Sequence, residues 1–371
     1  MSRHVFYLAV MAGFALPAAA YPQGASAGDG TIYVGTYANK IYKVSEASMK
    51  VVDSIPISIG IPAGLLLSAN HKHFYVVDPR NEKIELVDIE SKKSLDTFTL
   101  SDEDRRVMIW GLNVEPRERF AVMLVRTYQK KNDRWEVSKA PIMLKYDLGR
   151  KVVTDTIALP KGEEREFAQI LFSPDGSLMY FFGNDALVYN TSTLKQVDRW
   201  ELGRTLDDGM GRFNFGFPDD PFEEPGFYTG LFYVSDPVQH RSLMGVARVD
   251  LVQRKTDYYT LGPSQGMRFA LAPGRKKAYG LRSSVGTYEF WAFDLENRRV
   301  IGKTPFKGRP RMGLAVSSNG RYLYIHTAGP TIDLYDTEGF KLARTVDLGA
   351  DMTDFVLIPR SPAASASGGG R

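Results

Sequence analysis

The chain has no cysteine in 371 residues. That excludes a disulfide, a thiol nucleophile, an iron–sulfur cluster, a lipid-modified cysteine and a Cys-x-x-Cys-His haem attachment. It equally excludes a tryptophylquinone built on a cysteine thioether. Charge of either sign is in little surplus: 47 Lys and Arg stand against 43 Asp and Glu, a net of +4. With no long basic run behind it, this balance argues against nucleic-acid binding. Histidine is scarce, with five in the chain. His71 and His73 flank Lys72 in a predicted hairpin turn and read as solvated, because a metal site needs three or four converging ligands. There is no His-Glu-x-x-His, no Gly-x-Ser-x-Gly and no phosphate-binding loop. No apolar run reaches the roughly 20 residues that cross a bilayer.

The longest apolar run lies at the start. Residues 1–20 read as a secretory signal: Arg3 and His4, then Val5 to Leu16, then Ala18-Ala19-Ala20 as the small residues before a cleavage near Ala20. The mature protein is expected to be periplasmic or secreted, with no membrane span once the signal is removed. Residues 21–29 read as a flexible leader and 361–371 (SPAASASGGGR) as a disordered tail with nothing to bury. The stretch 30–360 is left to carry the fold. Exported proteins often use disulfides; without cysteine, this one depends on burial.

That stretch repeats itself. An apolar strand, a tight turn and an aromatic strand recur as LLLSANHKHFYVVD (65–78), LNVEPRERFAVMLV (112–125), ILFSPDGSLMYFFG (170–183), FALAPGRKKAYGLR (269–282) and LAVSSNGRYLYIHT (314–327). Pro-Asp-Gly and Ser-Asn-Gly are hairpin chemistry, since Asn, Asp and Gly tolerate positive φ. Each phrase is followed by an apolar strand ending at Asp88, Asp147, Asn190, Asp250, Asp294 or Asp336, and Ser45 holds the same place near the start. The spacings from Ser45 are 43, 59, 43, 60, 44 and 42. A period near 40–45 with four short strands per unit belongs to β-propellers. Seven markers predict an all-β, seven-bladed β-propeller.

The ends predict how the ring closes. DMTDFVLIPR (351–360) matches the first strand of a repeat with no second strand behind it, whereas the start lacks that first strand. The C-terminal strand is expected to pair into the N-terminal blade, which removes free edges. Apolar residues two apart, such as Ile170 and Phe172, are expected to point to one sheet face and pack on the next blade.

Ligands of propellers usually meet the residues around the central channel. Aligning the turns places Gly64, Gly111, Gln169, Arg268, Gly313 and Asp354 on one tier, with blade 5 unassigned. Trp110, Gln169, Arg268, Arg311 and Asp354 are the candidate ligand-binding residues at the channel mouth. The alternative is that Arg268 and Asp354 form a structural ion pair across the ring. No catalytic set and no metal ligands stand out.

The two long spacings predict insertions. Residues 126–141 (RTYQKKNDRWEVSKAP) read as an extended charged hairpin with Tyr128 and Trp135. Residues 207–228 carry Phe213, Phe215, Phe217, Phe222 and Phe227 among glycines, prolines and six acidic residues, and do not read as a plain strand. Exposed aromatics rimmed by charge suit a partner interface, for which Tyr128, Trp135, Phe213, Phe215, Phe217 and Phe222 are the candidates. The alternative is a loop folded over its own propeller.

The repeated phrases resemble the bacterial YVTN seven-bladed propellers. Within that class the chain resembles the β subunit of quinohemoprotein amine dehydrogenase over about residues 30–360. The most specific parts are KNDRWEV with KAP (131–141), GVARVDL (245–251) and LGADMTDFVLIPR (348–360). The resemblance implies a periplasmic complex that oxidises primary amines. There the propeller carries no cofactor, a small subunit holds cysteine tryptophylquinone and another holds two c-type haems. This chain would then be a non-catalytic scaffold with haem-bearing and quinone-bearing partners. A stand-alone exported binding propeller and a lactonase-type hydrolase acting at the channel mouth are the other two readings.

Overall fold

The computed structural model describes residues 26–360 except 139, 161–168, 184, 202–212 and 217–219, with Phe213 and Asn214 described by backbone alone. Seven antiparallel sheets form a ring: an all-β, seven-bladed propeller. From blade 1 to blade 7 the innermost strands are Met352–Ile358, Gly64–Leu67, Arg105–Val114, Gln169–Phe172, Phe213–Gly216, Arg268–Leu271 and Gly313–Val316. Six blades have four strands; the third gains a short fifth, Trp135–Val137.

The ring closes as the sequence predicts. Met352–Ile358 pairs with Thr31–Thr36 of the first blade, from Thr31 opposite Ile358 to Gly35 opposite Asp354. Glu46, fully buried between blades 1 and 7, ties the seam. Its carboxylate accepts from the Gly30 amide at 2.7 Å, the Ser318 amide at 2.7 Å and the Tyr324 hydroxyl at 2.8 Å. Burial and the Glu46 charge together hold the Tyr324 hydroxyl well above its usual pKa.

The sequence markers have a structural cause. Each third strand ends at its marker, and the residue four places on has a left-handed backbone: Met49, Lys92, Lys151, Leu194, Arg254, Arg298 and Phe340. At the six Asp and Asn markers the side chain holds that turn by accepting backbone amides. Asp336, for example, accepts from Gly339 at 2.5 Å and Lys341 at 2.9 Å. Short acidic or amide side chains do this best, which is why Asp recurs at a fixed period.

The expected alternation of direction holds in the inner strands: Ile170 and Phe172 pack on blade 3, while Leu171 between them packs towards blade 5. Second strands are buried on both faces: Leu178–Phe182 and His73–Val77 are buried throughout apart from their ends. Each blade is sandwiched between two others, so both faces need apolar side chains. Phe120, Val122 and Leu124 of blade 3 meet Phe181, Leu187 and Tyr189 of blade 4 in one such interface. In outer strands such as Arg299–Pro305, where inter-blade contact thins out, exposure itself alternates. Fully burying a large apolar side chain contributes roughly 1.5–3 kcal/mol.

Blade 5 corrects one expectation. Residues 213–216 are not part of an insertion but the blade's inner strand, paired with Leu231–Val234. The extra length resides partly in the second and third strands, which run to 10 residues each. In sequence, residues 217–226 separate the first two strands, where the other blades have a tight turn. That Gly/Pro-rich connection hides the hairpin signal the other blades show.

Candidate functional site

The inner strands all begin at one end of the ring, where the second strands finish. Gly64, Gln169, Arg268 and Gly313 are the first residues of their strands, and Phe213 fills the missing place. Gly111 sits at the register shift in the blade 3 inner strand, and Asp354 beside the one in the closing strand. A cavity of about 600 Å³ opens at this end between blades 6, 7, 1 and 2. It brings together Arg268, Arg311 and Asp354 of the sequence candidates. Trp110 and Gln169 do not line it. Trp110 is 38% exposed with the Arg126 guanidinium 5.3 Å from its ring centre, and Gln169 pairs with Phe182 in blade 4.

Arg268 and Asp354 do not form the ion pair considered from sequence. Asp354 instead directs one carboxylate oxygen at the Leu65 amide, 2.7 Å away, and the other at the Phe355 amide, 2.8 Å away. The first of these bonds joins blade 1 to blade 2. Desolvation pushes the Asp354 carboxyl above its ordinary pKa despite both amides. Arg268 and Arg311 are exposed, and neither guanidinium has an ion-pair or hydrogen-bond partner among the described residues.

His326 is the residue the sequence did not single out. It ends the second strand of blade 7, opposite Gly313, and its ring stacks on Phe355 with centroids 4.6 Å apart. A Cβ on Gly313 would lie 2.2 Å from that imidazole. Glycine is therefore what lets the ring lie against the inner strand. Burial first, and the Arg268 charge second, lower the His326 pKa to about 4, so the imidazole is neutral near pH 7. The sequence signal was available in the pairing of a strand-starting Gly with a strand-ending His. It is readable only once the register is known.

The other histidine reading also changes. His71 is exposed in its turn, but His73 is not merely solvated. It starts the second strand of blade 2 and contacts Glu118 of the blade 3 turn at 2.8 Å, while the Tyr75 hydroxyl donates to the same carboxylate. Among the described residues no group of three His, Asp or Glu side chains is placed to hold a metal ion.

The hairpin of blade 3 stands out from the mouth end. Arg106, Tyr128 and Val137 lie side by side across its three strands, and the Arg106 guanidinium sits 5.1 Å from the Trp135 ring centre. Trp135 is 42% and Val137 50% exposed. The blade 5 aromatics are placed differently. Phe215 packs beside Phe232 in its own sheet, with ring centroids 6.2 Å apart. Phe222 packs against the clusters of blades 5–6, 6–7 and 7–1 at once. Asp220 accepts from the Leu271 amide at 2.7 Å, which brings this loop to the end of the ring opposite the cavity. Phe217 lies outside the described residues.

No family model matches the chain, and no curated protein matches it in sequence. Solved structures do match in fold. A protein of unknown function from Desulfotomaculum acetoxidans has a TM-score of 0.56 at 12% identity, covering 90% of this chain and 100% of its own. The periplasmic gluconolactonase PpgL of Pseudomonas aeruginosa has a TM-score of 0.52 at 10% identity, covering 88% and 98%. Hydrazine synthase of Kuenenia stuttgartiensis has a TM-score of 0.51 at 11% identity, covering 91% and 100%. At such identity the likeness establishes the seven-bladed propeller fold and nothing finer.

Proposed function

We propose that this chain is an exported, non-catalytic propeller scaffold, the β-type subunit of an amine dehydrogenase-like complex. In this reading primary amines are oxidised by haem and cysteine tryptophylquinone groups held on partner subunits. The supporting observation is the blade 3 extension. It spans one of the segments that carry the family resemblance, and it leaves Trp135 and Val137 42% and 50% exposed on a narrow hairpin. Arginine-backed aromatics of this kind suit the core of a protein interface. Cysteine-free composition agrees with borrowed redox groups, since the chain has no thiol to attach either. Export follows from residues 1–20, and one structure of similar fold is a periplasmic gluconolactonase by name.

The test is purification of the tagged full-length chain from its native cells. The expected result is co-purifying subunits that stain for haem and quinone, with amine-dependent dye reduction, all lost in Trp135→Ala combined with Val137→Asp. A colourless lone monomer would overturn the proposal. Lactone hydrolysis by that monomer would favour the hydrolase reading instead.

A further inference from the structure

The mouth cavity gathers two arginines from adjacent blades, unpaired among the described residues. Several other arginines of blades 5 and 6 are paired with carboxylates: Arg275 with Glu224 at 2.7 Å, Arg248 with Glu224 at 2.7 Å, and Arg282 with Glu289 at 3.3 Å. Arg268 and Arg311, from adjacent blades, line one cavity with no such partner among the described residues. Asp354, the acidic residue beside them, makes no ion pair with either arginine, because its two oxygens are directed at backbone amides.

The remaining walls fit an organic molecule better than a bare ion. Ile61, Ala63 and Leu314 supply apolar surface, while Tyr37, 56% exposed, stands at the rim. Neutral His326 makes no hydrogen bond among the described residues, so its ring can offer one donor and one acceptor to a guest. Its ring is held in place by Phe355 and Gly313. A volume of about 600 Å³ lies within the usual range for small-molecule sites.

We infer that the channel mouth is a binding site for a small organic carboxylate, gripped by Arg268 and Arg311 with its carbon body against Ile61, Ala63 and Leu314. Guanidinium forks match carboxylates in geometry and charge. This inference is independent of the partner-docking proposal, because it concerns the isolated propeller. It also sets the cavity against a positively charged amine, which the two arginines would repel.

The experiment titrates the purified full chain by calorimetry with acetate, glutarate, citrate and benzoate. Inorganic phosphate, butylamine and the neutral diamide of glutarate serve as comparison probes. At least one carboxylate is expected to bind saturably and more weakly as sodium chloride rises. Arg268→Gln and Arg311→Gln should each weaken it about tenfold or more, as expected for loss of a charge-assisted bidentate contact. Circular dichroism and the urea midpoint check that each variant is folded, and Arg311→Gln, in a loop, serves should Arg268→Gln fail to fold. Three results would each overturn the inference: no saturable binding of any carboxylate, unchanged binding in the folded variants, or binding only of phosphate, butylamine or the diamide.

Discussion

At the residue scale, His326 shows how a fold sets chemistry. In the unfolded chain its imidazole takes a proton near pH 6.5; in the ring, burial and Arg268 delay this to about pH 4. The folded state therefore binds fewer protons across that window. Its stability is complete above pH 6.5 and is lost as pH falls toward 4, by an amount approaching about 3 kcal/mol. Asp354 titrates with the opposite sign, because its raised pKa lets the folded state take a proton first. Comparison with His326→Gln isolates the histidine. Urea midpoints measured from pH 7.5 to 4.5 should fall more steeply for the natural protein than for the variant; parallel curves would refute the assignment.

At the element scale, the repeated turn is the feature the fold depends on locally. A left-handed residue without a glycine costs about 1 kcal/mol or more, and the marker carboxylate offsets that cost by holding the turn's amides. Phe340 illustrates it: its φ is 53°, its side chain is buried, and its amide donates to the Asp336 carbonyl at 3.1 Å. Asp336→Ala should destabilise by about 1 kcal/mol, by analogy with the loss of a capping side chain, whereas Asp336→Asn should retain most of the stability. Equal losses in both variants, read from urea denaturation, would mean that charge and not turn geometry is what matters there. The element scale also explains blade 5. Its inner strand is the four residues Phe-Asn-Phe-Gly. Local propensity does not separate so short a strand from a loop, and its partner across the long connection does.

At the scale of the whole molecule, the seam between blades 1 and 7 replaces the disulfide this chain lacks. Pairing of Thr31–Thr36 with Met352–Ile358 joins residues more than 300 positions apart, and Glu46 fixes the junction through four donors on three segments. Glu46→Ala would strand those buried donors, at roughly 2–4 kcal/mol, since bonds to a charged acceptor are worth more than neutral ones. The expected outcome is a lower urea midpoint and faster proteolysis near the seam. A variant as resistant as the natural chain would show that strand pairing alone closes the ring.

The period of the markers, the apolar strand lengths and the unmatched C-terminal phrase determined the seven blades and their closure, because each is a local consequence of backbone chemistry repeated at fixed spacing. The candidate arginines were legible for the same reason: a constant offset from the turn defines the channel tier. The partners of those residues were not. Whether Arg268 meets Asp354, whether His73 is solvated, and whether Phe222 faces outward or seats itself beneath the channel depend on register and on which blades adjoin. Those contacts span from dozens to nearly 300 residues of sequence, and only the closed ring decides them.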